Sequence, residues 1–133
     1  MNCKLIFYSA QKTALCERSL CRDFSGLNIR LLEVKFATES QELGAYIEDA
    51  FECCDLVFVV GGFSLDGDKG IESILSRALA KANVDIIRRL HNKGGNDGYL
   101  FTAGNQLLVV LPDAPFDIQM IMQGPVSSYI KNC

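Results

Sequence analysis

One histidine, no C-x-x-C pair and no apolar run long enough to cross a bilayer set the first limits on this 133-residue chain. A spanning helix needs roughly 20 apolar residues, so no membrane partner is expected. His91 stands alone in the polar stretch "HNKGGND", far in sequence from all six cysteines, and reads as an exposed loop residue. Without a second histidine, nucleophilic catalysis through a Cys–His or Ser–His pair finds no support, and structural zinc would want paired ligand spacing. The start, Met1-Asn2-Cys3-Lys4, lacks an apolar h-region and a small-residue cleavage site, so a cytoplasmic, unprocessed chain is expected. In a reducing compartment most of the cysteines read as small buried hydrophobes, with Cys53-Cys54 as the one candidate for an exposed vicinal thiol pair.

Basic residues are missing altogether between Lys35 and Lys69, while Glu39, Glu42, Glu48, Asp49, Glu52, Asp55, Asp66 and Asp68 fall inside that gap. With a net charge of −3, this argues against a nucleic-acid partner, whose phosphates need a basic stripe, and none is expected. Glu39 to Glu52 read as the solvated face of an acidic helix.

What is present is an alternation of period-2 and period-3.6 segments. "KLIFYS" reads as a strand. "TALCERSLCRDF" reads as a helix with Cys16, Leu20 and Phe24 inward, Thr13 as N-cap and Gly26 just past its end. "NIRLLEVKF" is a second strand, and Thr38 with Gln41 has capping-box spacing before a helix carrying Leu43, Ile47, Ala50, Phe51 and Cys54. Residues 55–60 read as a strand covered on both faces. Ile71 to Ala82 gives an amphipathic helix, "VDIIRRL" a strand, and "YLFTAGNQLLVVL" two strands turning at Ala103-Gly104-Asn105. A final helix is expected to break near Gly124-Pro125. The order predicts one α/β domain over residues 1–133: three layers, α/β/α, a mainly parallel sheet and a C-terminal antiparallel hairpin.

Chemistry is most plausible where "VFVVGGFSLDGDKG" leaves its strand. Ligands of open α/β sheets bind beyond the strands' carboxyl ends. There Gly61 and Gly62 allow close backbone approach, and the N-terminus of the following helix favours an anion. Ser64 adds a donor, and Asp66 and Asp68 would reach a phosphate through Mg²⁺. The loop fits neither G-x-G-x-x-G nor G-x-x-x-x-G-K-[ST]. Turn formation and helix capping account for the two aspartates equally well. Of the remaining features, Arg88 and Arg89 end a strand and read as solvated. Met120, Met122 and Phe116 read as core or interface packing, and Lys93 sits in a flexible loop.

The segment "DLVFVVGGFSLDGDKG" resembles the D-hydrophobic-run-GG-x-S/T loop of the molybdopterin-binding domain family, the fold of MoaB/Mog, MoeA and CinA type proteins. "LLVVLPDAP" is similar to that family's second loop, Leu-Pro-Gly-x-Pro. The resemblance implies a ligand cradle at Gly61, Gly62, Phe63, Ser64 and Lys69, with Asp66 and Asp68 as catalytic and metal-facing carboxylates. Leu111, Pro112, Asp113 and Pro115 would form the opposing lip. It implies molybdopterin or its nucleotide adduct as ligand, Mg²⁺ as cofactor, an adenylyltransferase or molybdenum-insertion activity, and a homo-oligomer, trimer or dimer. Four departures point to a compact, degenerate member with a weakened site. Asp113 replaces a glycine, and Lys69 replaces an acidic residue. Ala37 to Ser40 replaces paired aspartates, leaving Glu39, and the first βα connection, "YSAQKTAL", is short. The other reading of the same scaffold is a non-catalytic oligomeric or regulatory module.

Overall fold

A computed structural model describes residues 1–62, 86–93 and 95–131. Strand β1 spans Asn2–Tyr8, helix α1 Thr13–Gly26, strand β2 Arg30–Ala37, helix α2 Ser40–Cys53 and strand β3 Leu56–Gly61. Then follow β4 at Ile86–Leu90, β5 at Gly98–Ala103 and β6 at Gln106–Leu111, helix α3 at Pro115–Ile121, a π-helical stretch Met122–Val126 and α4 at Ser127–Lys131. The expected helix at 71–82 lies outside the described residues, as do Phe63, Ser64, Asp66, Asp68, Lys69 and Cys133.

The strands form one sheet in the order β2-β1-β3-β6-β5-β4. β2, β1, β3 and β6 are mutually parallel, and β5 runs against both β6 and β4, as the alternation predicts for a mainly parallel sheet with a late hairpin. The hairpin turns on Gly104, whose φ of +61° a side chain would resist. Every residue of β3 is buried, because helices cover both sides of the sheet. On one face Phe7, Phe58 and Val109 pack with Leu20 and Phe24 of α1 and with Ile118, Ile121 and Val126. On the other, Ile6, Val57, Val59 and Leu108 pack with Leu43, Ile47 and Ala50 of α2. Three layers therefore stand among the described residues.

Helix ends differ from the sequence expectations in detail. Thr13 is the first helical residue of α1, not its cap; Lys12 takes that place with φ +52° and no side-chain hydrogen bond. Gly26 is the last helical residue, and the left-handed position falls two residues later on Asn28, at φ +59°. Asn tolerates that conformation, and the Ile29 N–H closes the end on the Phe24 carbonyl at 2.9 Å. The α2 capping box sits one residue past Thr38: Glu39 is the N-cap, and the Glu42 carboxylate accepts its N–H at 3.2 Å. At the C-terminus Pro125, lacking an N–H, is absorbed by a π turn rather than a break.

The cysteines follow burial. Cys3, Cys16 and Cys54 are buried, Cys21 and Cys53 are exposed, and all five are free thiols. Cys53-Cys54 is thus not an exposed pair, because only the first thiol meets solvent. Burial pushes the Cys3 thiol up to about 12 and, with Asp113 adding to it, the Cys16 thiol up to about 11.

Candidate functional site

The parallel pairing of β3 with β6 aligns Val60 with Leu111, and that of β1 with β3 aligns Tyr8 with Gly61. The Gly61-Gly62 bend and the Pro112 corner therefore leave adjacent strands at the same rim, the carboxyl end of the sheet. Both glycines have positive φ, +108° and +82°. Pro115 stands one turn further on, opening α3 at its first position, where a missing N–H costs nothing. The remaining predicted ligand residues, Phe63 to Lys69, lie outside the described residues.

The β1–α1 connection shapes this rim. It is only four residues long, Ser9 to Lys12, and two of them have positive φ, Ser9 at +45° and Lys12 at +52°. It leans over β3: a Cβ built on Gly61 would lie 2.4 Å from the Tyr8 carbonyl oxygen and 2.9 Å from the Ala10 Cβ. The missing side chain at 61 thus makes room for a neighbouring backbone. On its far side the loop is tied to the second corner, where the Gln11 N–H donates to Asp113 Oδ2 at 2.8 Å. The Ser9 N–H donates to the Ala37 carbonyl at 3.0 Å, anchoring the loop to β2 as well. Asp113 and the short loop, two separate departures in the sequence, touch each other.

A second set of polar groups fixes the β4–β5 connection at the same rim. The buried Asp117 of α3 accepts from Asn92 Nδ2 at 3.0 Å. Asp97 Oδ1 accepts the Asn92 N–H at 2.8 Å, and its carboxylate pairs with Arg89. These contacts, the Asn92 N–H first, hold the Asp97 carboxyl below its usual range. Gly95 admits Asp117 because a Cβ there would lie 2.0 Å from Asp117 Oδ1. Within the stretch expected to be a flexible polar loop, Asn92 is held by both Asp97 and Asp117. Asn92 and Asp117 lie 25 residues apart, and no local pattern pairs them.

The other sequence candidates disperse. His91 is exposed, with Nδ1 3.6 Å from Asp97 Oδ1. Arg88 lies over the Tyr129 ring at 5.8 Å, and Arg89 pairs with Asp97; both are exposed at the end of β4. Met122 is core, whereas Met120 and Phe116 are exposed. Glu39 caps α2 at the end of β2.

Among the described residues no three His, Cys, Asp or Glu side chains converge as a metal site. The donor chemistry at the lip still suits a hard cation. Asp113 uses Oδ2 for the Gln11 N–H, and no donor among the described residues reaches its other oxygen. The same carboxylate disfavours an uncompensated phosphate.

No family model matches the sequence, and no curated protein matches it. Solved structures do match. The CinA protein from Thermoplasma acidophilum, described as of unknown function, is 14% identical with a TM-score of 0.78, covering 98% of this chain and 99% of that one. The molybdopterin biosynthesis Mog protein from Mycobacterium ulcerans is 16% identical with a TM-score of 0.70, covering 98% and 97%. The molybdopterin biosynthesis enzyme MoaB from Thermus thermophilus is 12% identical with a TM-score of 0.66, covering 99% and 97%. Over nearly its whole length, this chain has the α/β fold of the MoaB/Mog and CinA type proteins.

Proposed function

We propose that this protein binds a phosphorylated pterin, molybdopterin or its nucleotide adduct, at the rim formed by residues 61–69 and 111–115. Its role would be related to molybdenum-cofactor biosynthesis, with weakened or lost catalysis. The reading rests above all on one observation, the side-by-side exit of Gly61 and Pro112 from adjacent parallel strands. The fold shared with the Mog and MoaB structures supports the ligand class. In this reading Gly61, Gly62 and Ser64 present backbone and hydroxyl donors to the ligand. Asp66 and Asp68 hold Mg²⁺, which supplies the positive charge that Asp113 withholds. Residual catalysis of the adenylyltransferase or molybdenum-insertion type would be positional and electrostatic.

A thermal-shift and calorimetric panel of molybdopterin, adenine nucleotides and molybdate, each with Mg²⁺, tests this. Saturable binding that Asp68→Ala abolishes supports it; no binding at millimolar ligand overturns it. The Asp113–Gln11 contact favours a second reading, a non-catalytic oligomeric or regulatory module, since that lip is partly occupied by the chain itself. That reading predicts a self-association or partner interaction unchanged when Asp66 and Asp68 are both replaced by Ala.

A further inference from the structure

Behind the rim, between α1 and α3, runs a groove of about 360 Å³. Leu15, Arg18, Ser19 and Arg22 form one wall, a single stripe of α1, and Phe116 and Gln119 of α3 stand opposite. Ser19 is only 5% exposed, yet no group among the described residues hydrogen-bonds its hydroxyl. Arg18 and Arg22 are exposed and sit one turn apart, about 6 Å along the axis, where like charges repel. Neither forms a salt bridge among the described residues, whereas Lys4, Lys35 and Arg89 do. The field of Arg22 reaches the Asp23 carboxyl, but that group accepts from Gln123 Nε2, at 3.5 Å, instead of pairing with the guanidinium.

Openness and charge together say what fits this groove. Leu15 is 50% exposed and Phe116 60%, so a small molecule would keep much of its surface in water, whereas small-ligand sites bury most of it. The occupant must bring its own cover, as a longer chain does. An extended chain would bring unpaired backbone N–H and C=O groups, and Ser19 and Gln119 alone cannot satisfy them. A helix pairs its backbone internally and lays an apolar stripe between two others. The arginines select its polar positions. Carboxylates three and seven residues beyond an apolar anchor repeat the spacing of Leu15, Arg18 and Arg22. The anchor then meets Leu15 and Phe116, each carboxylate meets a guanidinium, and Ser19 adds a donor at the floor. We propose that the α1–α3 groove docks an acidic amphipathic helix of another protein. From Leu15 to Arg22 the wall is about 10 Å long, room for two turns of such a helix. The inference does not depend on what the rim binds.

Fluorescence anisotropy on the intact protein tests it. The probe is a labelled, alanine-based helical peptide of about 16 residues carrying leucine and, three and seven positions later, glutamate. It binds with a Kd below about 100 µM, and screening at about 0.5 M salt weakens the complex. R18E/R22E raises that Kd by about tenfold or more, because like charges then face each other. A peptide with lysine in place of both glutamates shows the opposite preference, binding the variant and not the wild type. Leu15→Ser and Phe116→Ser each weaken the wild-type complex by about fivefold or more, since the anchor loses its walls. Arg18 and Arg22 are exposed, so the double variant keeps wild-type circular dichroism and Tm. No binding at about 500 µM protein overturns the proposal. So does binding that R18E/R22E leaves unchanged, or a lysine peptide that fails to bind the variant. Two other occupants would overturn it as well: phosphatidylserine vesicles that bind the wild type more tightly than the peptide does and lose R18E/R22E, or a second copy of this chain, seen as self-association in sedimentation velocity that the same variant abolishes.

Discussion

Gly61→Ala is the sharpest test of how the rim is built. The substitution meets two separate costs. At a φ of +108° an L-residue is strained, which costs about 1–2 kcal/mol. Its Cβ would also lie 2.4 Å from the Tyr8 carbonyl oxygen and 2.9 Å from the Ala10 Cβ. The tighter contact is to backbone, and Tyr8 cannot retreat without disturbing its pairing with Gly61 between β1 and β3. Overpacking of this kind costs about 1–3 kcal/mol. The sum, about 2–5 kcal/mol, is a large part of the roughly 5–15 kcal/mol by which such domains are stable.

Urea unfolding followed by circular dichroism separates the two costs through two other glycines. Gly104 has a φ of +61° but nothing within 4 Å of an added Cβ, so Gly104→Ala suffers only backbone strain. Gly44, inside α2, has nothing within 4 Å and no positive φ, so Gly44→Ala stabilises by up to about 1 kcal/mol. Adding Ala10→Gly to Gly61→Ala recovers less than half of the loss, since the Tyr8 oxygen remains. If Gly61→Ala unfolds at the same midpoint as Gly104→Ala, the β1–α1 loop lifts away at little cost, and the close packing described at the rim is wrong.

Asp113→Ala removes the acceptor of the Gln11 N–H; a loss of about 1 kcal/mol and faster amide exchange at Gln11 are expected, and unchanged exchange refutes the tether. Burial raises the Asp23 pKa, and its Oδ2 is buried with no hydrogen-bond partner among the described residues. A carboxyl raised on folding favours the native state below its unfolded pKa and loses that contribution as pH rises through the folded value. Asp23→Asn should therefore raise the Tm at pH 7 and not at pH 3; a drop at pH 7 contradicts the burial account. Residue-resolved thiol labelling of the native protein should modify exposed Cys53 first and spare Cys3 and Cys16, whose thiols are raised to about 12 and about 11. Labelling of either at the rate of Cys53 would contradict their burial.

The fold was legible because its signals are local. Continuous apolar runs marked β3 and β6, the i, i+4 stripe of Cys16, Leu20 and Phe24 marked α1, and Gly104 marked the hairpin. Boundaries slipped where several residues could do the same work. Lys12, Thr13, Asn28 and Glu39 show that the residue with the best capping propensity need not occupy the cap when loop length dictates the path. At the site, sequence singled out both corners and the short first loop. The link between Gln11 and Asp113 spans 102 positions, and that between Asn92 and Asp117 spans 25. Contacts of that kind follow from strand order, which puts the ends of β1, β3 and β6 side by side, and no spacing rule reveals them.

Asp113 and the four-residue β1–α1 connection are physically one change. A path that short from Tyr8 to Thr13 needs left-handed Ser9 and Lys12 and leaves α1 without a side-chain cap. The loop therefore carries strain of about 1–2 kcal/mol at each such residue. Asp113 offsets part of it with a hydrogen bond from the Gln11 N–H, made stronger by its charge. A glycine at 113 would leave that N–H to water and the loop without its support on β6. The same carboxylate alters the field at the rim, adding to the burial that raises the Cys16 thiol beside it. Structure and electrostatics thus shift together: the acid that supports this loop also disfavours an anion beside it unless a cation compensates its charge. Restoring glycine at 113 alone would relieve the charge while releasing the loop that covers Gly61, so it would not by itself rebuild an anion site.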